Sequence, residues 1–120
     1  MKLSIIIPVR NEEFIIKKIV DELQTKLKIP SYEIIFINDF SNDNTVKVIE
    51  ELIKTKPEIN VSNNNRKGLG GAISQGISKA SGEIVCVMMS DLSDSIDDLE
   101  KYYAIMKNEN IDAVFGSRFI

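Results

Sequence analysis

The chain has 120 residues, with no histidine, no tryptophan, one cysteine, three prolines and six glycines. Without histidine the commonest general base is missing, and with it the Ser-His-Asp arrangement and the usual zinc sites. Chemistry must therefore rest on carboxylates, lysine, arginine or a bound metal. The lone cysteine, Cys86, has no partner for an internal disulfide. It sits in the apolar run of residues 84–89, where a small buried hydrophobe is expected, and it suits a reducing, cytoplasmic setting. That run is only six residues long, against the roughly 20 needed to cross a bilayer. Met1-Lys2 leads directly into an apolar segment without a signal-peptide layout. Positive charge is also short: a net charge of -3 gives no broad field to hold a nucleic-acid backbone, so no nucleic-acid partner is expected. What is present is ordinary globular composition, 43% hydrophobic and 28% charged, enough for one compact domain over residues 1–120.

Residues 3–9 form a β-branched, nearly continuous apolar run ended by Pro8-Val9-Arg10-Asn11, the pattern of a strand buried on both faces. From Phe14, apolar residues Ile15, Ile16, Ile19, Val20, Leu23 and Leu27 recur at helical spacing up to Pro30. A strand at 33–37 is followed by the turn-rich segment 38–44 and by a helix marked by Val46, Ile49, Leu52 and Ile53. A short strand at 59–62, a loop at 63–68 and a small-residue helix from Leu69 to Ala80 come next. The spacing then predicts a strand over 83–89, a helix with Ile96, Leu99, Tyr102, Tyr103 and Met106 on one face, and a last strand from 113 to 116. Strict β/α alternation implies a mostly parallel sheet with helices on both faces, whose ligands bind beyond the carboxyl ends of the strands.

Carboxylates gather at those ends. Glu12 and Glu13 follow the first strand, Asp39 and Asp43 the second, and Asp91 and Asp94 the strand ending at Met89. Carboxylates hold the cation that neutralises a diphosphate, or accept hydrogen bonds from a base or ribose. Each also has a structural reading: Glu12 and Glu13 as acids at a helix start, Ser41, Asn42 or Asp43 as an N-cap, and Ser95 with Asp98 as a capping box. Asp91 has no such cap position. The glycine-rich stretch from Lys67 to Gly71 fits neither the dinucleotide fingerprint, since Ile73 stands where a third glycine is needed, nor the Walker loop. It remains a helix start with Arg66 and Lys67 beside it, either a phosphate contact or a loop entering a close-packed helix.

Taken in order, these segments resemble family 2 glycosyltransferases with the GT-A fold. Residues 4–13 resemble the first strand and P-x-Y-N-E motif, and residues 34–43 the V-D-D-G-S-x-D segment. Residues 67–85 are similar to K-G-x-G-x-A continuing to G-D/E-I/V-V, residues 89–94 to D-x-D-L-x-D, and residues 116–119 to G-S-R-F/Y. Polyprenol- and dolichol-phosphate sugar synthases are the nearest in look. The resemblance implies a Rossmann-like α/β sheet, the nucleotide-binding half of a GT-A domain, with the catalytic base and acceptor pocket in a half beyond residue 120.

By the same resemblance, Pro8, Arg10, Glu12, Ile37 and Asp39 would contact the nucleoside. Lys67, Ser90, Ser93 and Arg118 would serve the donor side, and Asp91 would hold Mg²⁺ or Mn²⁺. The implied reaction is inverting transfer of a sugar from a nucleoside diphosphate sugar to an acceptor such as polyprenyl phosphate, at the cytoplasmic face of a membrane. Four departures stand out: Arg10 for the usual tyrosine, Asn38 for the first acid of the second motif, Phe40 for its glycine, and Met89 for the first acid of D-x-D. A methionine cannot bind a hard cation, which keeps open a non-catalytic, degenerate nucleotide-sugar binder as the alternative. Self-association through an uncovered sheet edge is a further expectation.

Overall fold

A computed structural model describes residues 2–89 and 95–109. The elements alternate as the periodicity requires: β1 Leu3–Val9, α1 Ile16–Lys26, β2 Tyr32–Asn38, α2 Thr45–Ile53, β3 Ile59–Asn63, α3 Leu69–Lys79, β4 Ile84–Val87 and α4 Ser95–Glu109. The strand expected at 113–116, along with Ser90, Asp91, Ser93, Asp94 and Arg118, lies outside the described residues, as do the side chains of Tyr102 and Met106.

The four strands make one sheet in the order β3-β2-β1-β4, and all pairs are parallel. Right-handed crossovers dictate the layering. The chain steps from β1 to β2 to β3 in one direction, placing α1 and α2 on one face, where they pack against each other. It then returns past β2 and β1 to reach β4, which puts α3 on the opposite face, against β1 and β2. The direction of travel reverses between β1 and β4, so the topological switch point lies at the carboxyl end of β1.

All seven residues of β1 are buried, because the strand is paired on both edges and covered on both faces. Its side chains alternate between the layers. Ile6 faces α3 so closely that a Cβ on Gly76 would stand 2.3 Å from Ile6 Cγ2; glycine at this helix position lets α3 lie on the sheet. Ile16, Ile19, Val20 and Leu23 of α1 join the core at helical spacing. In α4 the buried face is Ile96, Leu99 and Tyr103. Cys86 is buried in β4, and burial pushes its thiol up to about 12, the behaviour of an inert core residue.

Two expectations shift by a few residues. The first helix begins at Ile16 rather than Phe14, since residues 12–15 form a turn in which Ile15 N–H and Ile16 N–H both donate to Glu12 O. The ladder of β4 ends at Val87, although Met88 N–H still donates to Ile6 O at 2.8 Å.

At the amino edge of the sheet, the carboxylate of Glu33 is buried and fully engaged. Its Oε2 accepts from Ser4 Oγ at 2.5 Å, Ser81 N at 2.7 Å and Ser81 Oγ at 2.8 Å, while Lys2 Nζ lies 3.8 Å from Oε1. Burial raises its pKa, but the hydrogen bonds from Ser4 and Ser81 and the charge of Lys2 outweigh this, so it titrates below its ordinary value of 4.5. A depressed acid contributes stability above its unfolded pKa and loses it as pH falls through the folded value. Urea titrations should therefore show wild-type stability declining below about pH 4.5, whereas Glu33→Gln should be weaker at pH 7 and flatter across that acid range. An equally steep acid loss in both proteins would remove Glu33 as its source.

Candidate nucleotide site

The loops leaving β1 and β2 are laced together by hydrogen bonds. Asn11 N donates to Ser41 Oγ at 3.0 Å, and Asn42 N donates to Asn11 Oδ1 at 2.7 Å. Glu12 N donates to Thr45 Oγ1 at 2.8 Å, and Glu13 N to Asp43 Oδ2 at 3.4 Å. Asp43 Oδ1 also accepts from Thr45 N at 3.0 Å. Burial raises the Asp43 pKa, but the Thr45 side chain and backbone and the Glu13 N–H lower it by more, so its carboxyl titrates below the ordinary 3.8.

Asp43 thus serves two places at once, the start of α2 through Thr45 N and the loop after β1 through Glu13 N, while Asn44, directly before α2, makes no side-chain cap bond. Glu12 and Glu13 likewise do not serve the dipole of α1, which has no acid in its first turn. Ser95 is the first residue of α4, with Asp97 and Asp98 in the first turn.

Asp39 sits just past β2, tied to β1 by its N–H to Val9 O at 2.9 Å. Its Oδ1 accepts from Asn64 Nδ2 at 2.9 Å and from Gly68 N at 3.0 Å, and its Oδ2 from Gly68 N at 3.3 Å. Gly68 has φ +110°, a conformation that favours glycine and turns its N–H toward the carboxylate. Burial pushes the Asp39 pKa up. The Asn64 and Gly68 hydrogen bonds, with the charges of Arg10 and Lys67, push it down further, so Asp39 titrates below its ordinary 3.8 and is ionised at neutral pH.

Around this carboxylate lies a cleft of about 170 Å³ lined by Pro8, Val9, Arg10, Glu12, Asp39, Leu69, Ala72 and Met89. It occupies the switch point, between the carboxyl ends of β1 and β4 and the start of α3. Its volume falls short of the roughly 300–1,000 Å³ typical of ligand pockets. A hollow of about 230 Å³ between β3 and α3 is lined by Ile35, Asn60, Val61, Ser62 and Lys79. It has no carboxylate and does not lie at the strand ends, which makes it the poorer candidate.

Of the residues expected to bind donor, Pro8, Arg10, Glu12 and Asp39 converge on the one cleft. Ile37 pairs with Pro8 in register but is wholly buried and does not line the cleft. Lys67 is exposed and acts on Asp39 through its charge. Ser90, Asp91, Ser93 and Arg118 are outside the described residues. Among the described residues no group of three or more acidic or cysteine side chains is arranged to hold a metal ion, and Met89 occupies cleft wall where an acid was expected. The described part of the site alone does not fit a cation. Asn64 was missed, although an asparagine directly after a strand at the ligand edge follows the same logic that selected Asp39.

A parallel sheet in this order with helices on both faces is the architecture that the chain shares with GT-A type glycosyltransferases. The chain belongs to glycosyl transferase family 2, whose sequence profile matches residues 4–120. It is 32% identical over 120 residues to the dolichol-phosphate mannosyltransferase of Pyrococcus furiosus, covering 100% of this chain and 34% of that protein. The UDP-N-acetylglucosamine–dolichyl-phosphate N-acetylglucosaminyltransferase of Methanococcus voltae is 34% identical over 131 residues, covering 95% of this chain and 51% of that one. Among solved structures, S. aureus TarS 1-349 in complex with UDP matches with a TM-score of 0.68 and 25% identity, over 90% of this chain and 32% of that one. The chain thus spans about a third to a half of the length of these proteins.

Phe40, in place of the motif's glycine, has φ +58° and is 48% exposed. Left-handed backbone at a residue with a Cβ costs roughly 1–2 kcal/mol, and little packing offsets it here. Replacing it by glycine relieves that strain but loosens the unfolded chain by roughly 0.5–1 kcal/mol. Phe40→Gly should therefore raise stability by about 0.5–1 kcal/mol in denaturant unfolding. A lower midpoint would mean that the ring, not the backbone, dominates at this position.

Proposed function

We propose that this chain supplies the donor site of an inverting glycosyltransferase that moves a sugar from a nucleoside diphosphate to a lipid phosphate. The observation that carries this reading is the convergence of Pro8, Arg10, Glu12 and the ionised Asp39 on one cleft at the switch point. Asp39 accepts an N–H of the base, a role that needs a carboxylate ionised at neutral pH. Pro8, Val9, Leu69 and Ala72 form the apolar wall for the base and ribose, and Glu12 accepts from ribose hydroxyls. The Arg10 guanidinium, exposed beside the cleft, stacks on the aromatic base where a tyrosine ring is usual. Lys67 offsets the charge of the departing diphosphate, and by resemblance to the family Arg118, Ser90 and Ser93 would also contact the donor. Asp91 would hold a divalent cation, which would supply positive charge to the departing diphosphate.

The relatives whose names specify dolichyl phosphate support a polyprenyl phosphate acceptor. An acceptor that is already ionised needs no general base to remove a proton before attack. A lipid acceptor supports a working position at the cytoplasmic face of a membrane. Among the described residues no helix is long and apolar enough to cross one. A second reading, a nucleotide-sugar binder without transfer activity, is favoured by one observation: the Met89 thioether lines the cleft in place of an acid.

Calorimetric titration of UDP, GDP and their sugars with and without Mg²⁺ or Mn²⁺, on the wild type and Asp91→Ala, separates these readings. Metal-dependent binding lost in the variant supports the donor site. Metal-independent binding that the variant retains supports the degenerate binder. A folded chain that binds no nucleotide contradicts both.

A further inference from the structure

The aim of the Asp39 carboxylate depends on one side chain that none of the proposed donor contacts includes. Asn64 follows β3, is 6% exposed, and has every polar atom engaged. Its Nδ2 donates to Asp39 Oδ1 at 2.9 Å and to Gly68 O at 3.2 Å. Its Oδ1 accepts from Arg66 N at 3.2 Å, and its own N–H donates to Asn38 O at 2.9 Å. Gly68 N returns to Asp39 Oδ1 at 3.0 Å, closing a ring of Asn64, Asp39 and Gly68. Gly68 O also accepts from Ala72 N at 3.0 Å, the bond that opens α3.

We propose that Asn64 is the positioning residue of the nucleotide site, holding Asp39 Oδ1 from behind so that Oδ2 is presented to the base. A carboxylate oxygen has two lone pairs, and those of Oδ1 are taken by Asn64 and Gly68. Among the described residues Oδ2 has only the longer 3.3 Å contact with Gly68 N, so it is the oxygen with capacity for a ligand N–H. The same carboxamide fixes the turn through Arg66 and Gly68, which couples the acceptor atom to the glycine-backed wall of the cleft. The inference rests on the nucleotide-binding reading for its purpose, but its geometry can be tested without a nucleotide.

Among the described residues the charged groups facing Asp39 are Arg10 and Lys67, with Glu12 also on the cleft wall. Asn64→Asp is nearly isosteric and keeps an acceptor for Arg66 N–H, yet it replaces the donor facing Asp39 with a second acceptor. Asn65→Ala is the control: its Nδ2 bonds Gln75 Oε1 at 3.0 Å, outside the ring.

Side-chain carboxyl NMR of the 120-residue chain gives the Asp39 midpoint directly, and calorimetry gives UDP and GDP affinity. In wild type, the Asn64 carboxamide protons should shift with the same midpoint as Asp39. Asn64→Asp and Asn64→Ala should raise that midpoint and weaken nucleotide binding at pH 7 about tenfold or more, since a hydrogen bond to a charged group is at stake. Asn65→Ala should change neither. Carboxamide protons that ignore the Asp39 titration would overturn the assignment with no variant needed, and so would a wild-type midpoint in Asn64→Ala. A wild-type chain that binds neither UDP nor GDP would refute the nucleotide reading instead, whatever the titration shows.

Discussion

The site depends on the complete burial of β1. Strands β2 and β4 flank it, helices cover both faces, and none of its seven residues reaches solvent. A strand enclosed in this way can meet a ligand only where it leaves the sheet, at Pro8, Val9 and Arg10. Because the chain winds one way through β2 and β3 and returns to β4, the crossovers diverge at that exit and leave a crevice. Gly76 strengthens the constraint: with no Cβ to push against Ile6, α3 lies low on the sheet and brings Leu69 and Ala72 to the crevice wall. The cleft therefore follows from how the core strand is covered.

What lines the crevice is held by polar bracing. Asn11, Ser41, Asn42, Asp43 and Thr45 lace the first two loops together. Asn64 and Gly68 do the same for Asp39 and the third loop. Many of these groups are backbone N–H donors that would otherwise lack partners at the end of a sheet, and satisfying them leaves the Asp39 carboxylate fixed and ionised before any ligand arrives. Such preorganisation lowers the cost of binding, since the loops after β1, β2 and β3 are already braced.

The elements were legible because their periods are clean: the unbroken β-branched run of β1, and the helical spacing of Ile16, Ile19, Val20 and Leu23. Pro8, Arg10, Glu12 and Asp39 were legible as a group because parallel topology puts strand ends together and the motif order fits a known family. Asn64 and the lacing were not legible. Whether an asparagine or aspartate caps a helix, braces a loop or meets a ligand depends on which backbone N–H lies nearby, and that is a tertiary fact. Asp43 shows this plainly, since its carboxylate serves both the start of α2 and the neighbouring loop. Phe40 is the reverse case: the family pattern indicates glycine, and the left-handed φ gives the physical reason for that preference.

The central claim is that a nucleotide enters the cleft at the end of β1, against Asp39. Backbone amide NMR during titration with UDP or GDP in the presence of Mg²⁺ tests it most directly. The largest shifts are expected on Arg10, Asp39, Gly68 and Ala72, around one wall of one crevice. Shifts concentrated instead on Asn60, Val61, Ser62 and Lys79, in the hollow between β3 and α3, would contradict it.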